Sequence, residues 1–403
     1  MSSPRARLVL AAGLLGSSAA WTLEAGARIP RRPQAHHPSD ESPSTSILDL
    51  SAAEDFATEA GLTEAQLRSV YTHLFRRGGS FEPEALHSGV GLSKAASTLL
   101  CDRFTHLSSQ VIERVPSEGG LKLVIELASG HRVETVLIVH EHKSSGRRRC
   151  TVCVSSQVGC ARACTFCATG TMGMRAQLTA AEILEQVWHA RAEAGALSEV
   201  RNVVYMGMGE PLDNFDAVCA SLRGLTHQSL YDFGAKHITV STVGASPTRI
   251  RELADTAPSV RLALSLHAAT QPLRASLIPS ATTLEDLTAA LDYHREVTQC
   301  GLMVEYLLIA GVNDRPCDAD ALAAFCVERE AVASQKGRAK GYVNLIPFNP
   351  TEAGTLHGYE APSDEAVAHF HERLRSLHGV NALVRWTSAS GRDASGGCGQ
   401  LVV

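Results

Sequence analysis

Apolar residues recur along this chain in three successive rhythms. Over residues 47–110 they return every three to four positions, as at Leu67, Val70, Tyr71 and Leu74 behind a capping Thr63, and that spacing predicts a small helical domain. Residues 121–127 and 132–139 are apolar-rich runs flanking Ser129-Gly130, the pattern of a β-hairpin. Beyond residue 149, short apolar runs alternate with amphipathic stretches. Strands are predicted near 149–155, 201–206, 236–242, 260–266, 302–309 and 341–346, and helices near 179–195, 214–226, 246–256, 283–299, 318–330 and 363–378. Six such units predict an α/β fold, a partial (β/α)6 barrel two units short of the closed eightfold form. In barrels of this kind chemistry gathers at the C-terminal ends of the strands. The expected division is a leader at 1–46, a helical accessory domain at 47–115, a β-hairpin linker at 116–148 and the barrel with a C-terminal segment at 149–403. There is no internal repeat.

Composition narrows the class. The 403 residues are 44% hydrophobic and 20% charged, enough for a sizeable core, and no apolar run reaches the roughly 20 residues that span a bilayer. A formal charge of −5 argues against holding nucleic acid through bulk positive charge, while leaving room for a local basic patch. The N-terminus differs from the rest. Arg5 and Arg7 precede a short apolar stretch at 8–20 that ends in small residues before Trp21, the shape of a signal peptide. Residues 25–46, with Arg28, Arg31, Arg32 and several prolines, then look like a transit segment or a disordered linker. Such a two-part leader resembles those of proteins imported into secondary plastids. Import into an organelle, a plastid before a mitochondrion, is the expectation, with the cytoplasm as the alternative.

Eleven cysteines are an odd number, and three cluster as Cys160-x-x-x-Cys164-x-x-Cys167, which favours metal chemistry in a reducing compartment over disulfides. A structural zinc takes four protein ligands, commonly as two close pairs, and no second pair is present. Three thiolates on a [4Fe–4S] cluster leave one iron open to the amino and carboxylate groups of S-adenosylmethionine (SAM), whose sulfonium can then be cleaved to a carbon radical. Zinc, or three unrelated buried thiols, is the alternative. Phe166 suits the SAM adenine, and Gly170 and Gly173 let the loop approach the cluster. The turn Gly207-Met208-Gly209-Glu210-Pro211 lacks the Lys and Ser/Thr of a phosphate loop. Its glutamate favours a cationic guest such as the SAM amino group, although a tight turn with a solvated glutamate is the plainer reading.

Several longer motifs stand in order: Cys153-Val-Ser-Ser-Gln-Val-Gly-Cys160, Gly207-Met-Gly-Glu-Pro211, Ser265-Leu-His267, Asn344-Leu-Ile-Pro-Phe-Asn-Pro350 and Cys398-Gly-Gln-Leu401. From about residue 55 onward the chain resembles the RlmN/Cfr family of radical SAM RNA adenine methyltransferases. The resemblance implies that Cys160, Cys164 and Cys167 hold the cluster and that Gly209, Glu210, Ser241, Ser265, Leu266, His267 and Asn349 contact SAM. It implies that Cys398 is methylated by one SAM and, after radical activation by a second, adds its carbon to C2 of adenine. The resemblance further implies that Cys153 resolves the resulting RNA–protein link by forming a disulfide with Cys398, and that Glu134 is the proton acceptor. The implied substrates are large-subunit 23S-type ribosomal RNA and also tRNA, bound with help from the helical domain. The implied electron donor is of flavodoxin or ferredoxin type, and a monomer without a membrane is expected. The alternatives are Cfr-like C8 methylation and a non-catalytic iron–sulfur RNA-binding relative.

Without that resemblance Cys153 and Cys398 read as small buried residues, Glu134 as a solvated strand residue and His267 as a satisfied core residue. Cys101, Cys150, Cys219, Cys300, Cys317 and Cys326 read as structural thiols. Two departures from the family pattern stand out. Ser390-Gly391 replaces the usual Arg-Gly, with Arg392 displaced and Asp393 kept, and a basic insertion at 140–149 carries Lys143, Arg147, Arg148 and Arg149. A fluorescent reporter fused behind residues 1–46 is expected to enter an organelle; a diffuse cytosolic signal would count against import.

Overall fold

Behind a two-residue strand, Thr45–Ser46, the described part of the chain begins with four short helices, each bounded by residues suited to its ends. In the computed structural model, which describes residues 45–141, 146, 148–195, 199–334, 341–387 and 395–403, these are α1 (Leu50–Glu59), α2 (Glu64–Tyr71), α3 (Pro83–Val90) and α4 (Lys94–Arg103). Asp49 and Ser93 cap α1 and α4, and Thr63 with Gln66 forms a reciprocal capping box on α2. The expected stripe of Leu67, Val70, Tyr71 and Leu74 is buried. Nearly all of the leader, together with Lys143, Arg147 and the segment Ser390 to Asp393, lies outside the described residues.

The remainder is organised by one ten-stranded sheet: β1 (Gln110–Ser117), β2 (Gly120–Glu126), β3 (Arg132–Glu141), β4 (Arg148–Cys153), β5 (Val200–Tyr205), β6 (Ile238–Thr242), β7 (Arg261–Ser265), β8 (Met303–Leu308), β9 (Tyr342–Pro347) and β10 (Ala382–Val384). The strands are hydrogen-bonded in the order in which they occur in the chain. From β1 to β4 neighbours run antiparallel, and from β4 to β10 parallel. The parallel part is connected through α5 (Ala180–Ala194), α6 (Phe215–Thr226), α7 (Pro247–Thr256), α8 (Gln271–Leu277), α9 (Leu284–Thr298), α10 (Pro316–Ser334) and α11 (Asp364–Glu372). The ends of the sheet, β1 and β10, do not pair, so the (β/α) array is open among the described residues.

Three features differ from the sequence expectation. The hairpin is no linker, because β3 pairs with β4 and carries the sheet on through β2 to an additional strand, β1. β10 is an extra parallel strand at the other edge, three residues long and too short to show a period. The basic insertion begins and ends inside strands, with His140 opposite Arg149 and Glu141 opposite Arg148.

Helix α5 joins the two parts of the molecule. Its Glu185, wholly buried, accepts the backbone N–H of Ser108 and of Ser109, each at 2.8 Å, and the Ser108 hydroxyl at 3.0 Å. Those serines lie between α4 and β1, so one carboxylate ties the helical region to the barrel. Charge-assisted bonds of this kind offset its desolvation. Phe75 packs edge-on against Trp188 of the same helix, with ring centroids 5.1 Å apart.

A second buried polar group lacks such compensation. His294 on α9 is 3% exposed, and its Nε2 has no hydrogen-bond partner. Burial pushes its pKa from 6.5 down to about 4. The unfolded chain therefore binds a proton that the folded chain refuses, and stability is lost as pH falls from 6.5 toward 4. His294→Leu is expected to flatten that loss, by up to about 3 kcal/mol at the acid end. Urea denaturation across this pH range checks it, and an unchanged slope would contradict the assignment.

Candidate active site at the open ends of the strands

The residues between Cys153 and Cys160 brace the loop that follows β4. Ser155 donates its hydroxyl to the Glu134 carbonyl at 2.6 Å and accepts the Met208 N–H at 2.9 Å, while its own N–H reaches the Gln186 side chain at 2.7 Å. Gln157 accepts the Glu210 N–H at 2.8 Å. The motif thus fastens the cysteine loop to β3, to α5 and to the Gly207–Pro211 turn. Residues Gln157–Gly159 then pair with Met174–Gln177 in a small ribbon. The cysteines sit between its strands, where Cys160 donates its N–H to the Gly173 carbonyl at 3.1 Å.

All three thiols of the loop are free, and burial raises the pKa of each, that of Cys160 to about 12. They lie near enough that ionised Cys167 raises Cys160, and Cys160 and Cys167 both raise Cys164. Cys164 and Cys167 nevertheless keep some solvent exposure. Both pack at the edge of a small apolar cluster that includes Phe166, Leu277 and Phe348.

Strand-end residues reach this loop, Glu210 through its charge on Cys160 and Cys164 and His267 through its ring against Phe166. Gly209 adopts φ +102°, and a Cβ there would lie 2.6 Å from the Gln157 Cβ, so both conformation and space require glycine. Glu210 is 3% exposed, accepts the N–H of Val243 at 2.9 Å and of Leu212 at 3.1 Å, and is pushed by burial up to about 7. It is not the solvated turn residue of the plainer reading. Ser241 and Ser265 share a hydroxyl contact of 3.2 Å. Leu266 has its N–H bonded to the Glu305 carbonyl and its carbonyl to Ala268 and Arg274, which leaves only its side chain for a guest.

His267 stands at φ +57°, a conformation disfavoured for any residue but glycine. Its Nδ1 accepts the Leu307 N–H at 3.0 Å, which puts the ring proton on Nε2. Burial pushes it down to about 3, so it is neutral. Phe166 meets its ring edge-on with centroids 4.8 Å apart. Asn349 is 3% exposed, and its amide nitrogen has no acceptor.

Sequence reasoning passed over three charged groups here. Arg274 on α8 is fully buried and donates to the carbonyls of Ser265, Leu266 and Val243, with Nε unpartnered. Its charge acts on Cys164, and among the described residues no carboxylate pairs with it. Arg162, inside the cysteine loop, is held by Asp213, with Nε to Oδ2 at 2.7 Å. Glu305, midway along β8, accepts from Asn344 at 2.8 Å and is pushed by burial up to about 7. None of the three could be found from spacing, because each is a lone charged residue whose partners lie on other elements of the fold.

The C-terminal segment closes the site. The Ala168 N–H donates to the Gly399 carbonyl at 2.8 Å and the Thr169 hydroxyl to the Leu401 carbonyl at 2.6 Å, while Gln400 reaches the Pro350 carbonyl at 3.1 Å. Cys398 is thereby carried beside the loop. The residue as a whole is exposed, while its thiol points inward, where burial and the nearby Glu305, Cys167 and Cys153 all raise its pKa. Cys153, at the end of β4, is buried and pushed up to about 12. Glu134 is buried as well, contrary to the reading of a solvated strand residue: Lys122 Nζ is 2.8 Å from Oε1, and Oε2 accepts the Val402 N–H at 2.7 Å. Of the six cysteines outside these motifs, Cys150 is buried and Cys317 exposed.

A cysteine loop after the first parallel strand, with a ring of polar groups on the following strand ends, defines a radical SAM protein. Residues 154–323 match the family model described as the radical SAM superfamily. The chain is 40% identical over 306 residues, 74% of its length and 82% of the relative's, to a ribosomal RNA large subunit methyltransferase N of Nitrosopumilus maritimus. It is 42% identical over 294 residues, 72% of its length and 75% of the relative's, to a dual-specificity RNA methyltransferase RlmN of Nitratidesulfovibrio vulgaris. The crystal structure of a radical SAM methyltransferase from Sphaerobacter thermophilus superposes with TM-score 0.76 at 34% identity, covering 89% of this chain and 99% of that one. The chain belongs to the RlmN family.

Its cofactors are accordingly a [4Fe–4S] cluster and SAM, and the residues present fit them. Among the described residues no three His, Cys, Asp or Glu side chains converge as a single ion needs. The three neighbouring thiols suit a cluster, in which each binds a different iron. Buried Arg274 suits an anionic group beside Cys164, and the orphan amide of Asn349 suits a guest that brings an acceptor. Gly209→Ala is expected to weaken SAM binding at least tenfold and to cost about 1–3 kcal/mol of stability through its strained φ. Calorimetric titration and thermal melting check the two effects, and normal SAM affinity would overturn the close-approach argument.

Proposed function

We propose that this protein methylates C2 of an adenine in RNA, with large-subunit 23S-type ribosomal RNA as substrate and tRNA as a second one. The placement of Cys398 supports this reading best. Strapped to Ala168 and Thr169, it lies within electrostatic reach of both Cys167 and Cys153. When bound, the cluster and SAM supply a methyl group and the means to make a carbon radical. Adenine C2 is an electron-poor carbon with no lone pair, so a methyl carrier that can become a radical is needed there, and Cys398 is that carrier.

Cys153 resolves the link. Once the adduct has lost the C2 proton and one electron, which the bound cluster would take back, the Cys153 sulfur bonds to that of Cys398, the carbon–sulfur bond to the RNA breaks, and the carbon takes up a proton. Because burial holds Cys153 as a thiol at neutral pH, its proton must leave as it attacks. Glu134 is the proton acceptor in this reading. Burial raises its pKa against the opposing pull of Lys122 and Val402, which makes it a better base than an exposed glutamate. Every named residue comes from one chain, so a monomer suffices, and a flavodoxin- or ferredoxin-type donor supplies the electron.

Anaerobic reconstitution with SAM, a reductant, ribosomal RNA and tRNA is expected to give 2-methyladenosine, read by nucleoside mass spectrometry, and S-methylation at Cys398. Cys398→Ala is expected to abolish both. Cys153→Ala is expected to leave RNA covalently attached to the protein. Formation of 8-methyladenosine would replace C2 by C8 as the target. Absence of any methyladenosine together with an unmodified Cys398 would sink the reading.

A further inference from the structure

We infer that Lys122 is a positioning residue for Cys398, acting through a Lys122–Glu134 pair that latches the C-terminal segment over the site. The inference rests on the methyl-carrier role proposed for Cys398.

Lys122 and Glu134 lie on adjacent antiparallel strands. Lys122 faces Val136 and Glu134 faces Val124, so the two are diagonal neighbours on one face of the sheet. Lys122 Nζ stands 2.8 Å from Glu134 Oε1, and their side chains are only 11% and 2% exposed. Neither is placed as a surface strand residue would be. A lysine this deep is unfavourable unless it is paired, and a pair this deep needs its remaining hydrogen-bonding capacity satisfied. Part of that capacity is met by the C-terminal segment, because Glu134 Oε2 accepts the Val402 N–H at 2.7 Å.

The segment has no helix or strand of its own from Ser395 onward. Its position depends on individual fastenings. Gly399 and Leu401 are held by Ala168 and Thr169, immediately after Cys167, and Gln400 by Pro350, just beyond the end of β9. Glu134 supplies the fastening on the opposite side, from β3. The segment carrying Cys398 is therefore anchored to the cysteine loop and to the hairpin at once. Lys122 favours the ionised carboxylate, and an ionised carboxylate is the stronger acceptor for an amide N–H. Removing the lysine charge weakens the Val402 bond without touching the cysteines, the SAM-facing residues or the loop.

Hydrogen exchange of the reconstituted full-length protein, followed by mass spectrometry of the peptide spanning residues 395–403, tests this. Lys122→Met is expected to speed exchange of the amides at 399–402 about tenfold, with β6 and α9 unchanged, and Lys122→Arg to restore protection. If Lys122→Met does not fold, the charge-free pair Lys122→Met with Glu134→Gln is read instead. Loss of protection confined to the segment supports the latch. Unchanged protection, or equal loss throughout the sheet, overturns it. The same spectra report methyl occupancy at Cys398. A Cys398 that is never methylated, in a protein whose segment still loosens with Lys122→Met, would remove the methyl-carrier reading while leaving the latch standing.

Discussion

The hydrogen bond from the Ala168 N–H to the Gly399 carbonyl couples the two chemically distinct parts of this protein. One partner directly follows the last cysteine of the loop, and the other directly follows Cys398. A segment without regular secondary structure must find partners for its buried backbone groups one at a time. This segment finds them on the loop it serves. The loop and the thiol above it therefore cannot move independently without breaking bonds that hold both. The same economy appears in Ser155, which ties the start of the loop to the backbone of Glu134, the residue that also holds Val402.

The electrostatics of the site follow from one cause. Surrounding protein strips water from these groups, and each shifts toward its neutral form: Glu210 and Glu305 up to about 7, His267 down to about 3, and the thiols upward. Arg274 is the exception, because even lowered to about 10 it stays charged. Three carbonyls soften its burial but carry no negative charge to balance it. A site whose carboxylic acids and imidazole tend to neutrality, beside one uncompensated cation, suits guests that arrive with charges of their own.

Much of this was legible in the sequence. The six predicted parallel strands overlap β4 to β9, because central parallel strands are continuous apolar runs bounded by turn residues. The cysteine loop and the strand-end motifs were visible because their chemistry is local. What escaped was non-local. β10 has three residues, and β1 reads as polar because its residues are mostly exposed or half-buried. Lys122 in Leu121-Lys122-Leu123 looks like an ordinary outward-facing strand lysine; only the Val402 backbone, some 280 residues away, shows why it is buried beside Glu134. Arg274 likewise looks like a helix-surface arginine until the ends of β6 and β7 supply its carbonyl partners.

The order of strands in the sheet has a consequence for how the molecule is made. Because each strand pairs with the one before it, the sheet can grow at a single edge as the chain leaves the ribosome, with no gap to be filled by a strand not yet synthesised. Cys398 follows the last of those strands. A nascent chain can thus pair all ten strands of the sheet while still lacking the thiol that lies within electrostatic reach of Cys153. Translation that stops short of it leaves a scaffold without the thiol proposed to carry the methyl group, and without the backbone partners that Ala168, Thr169 and Glu134 find in the same segment.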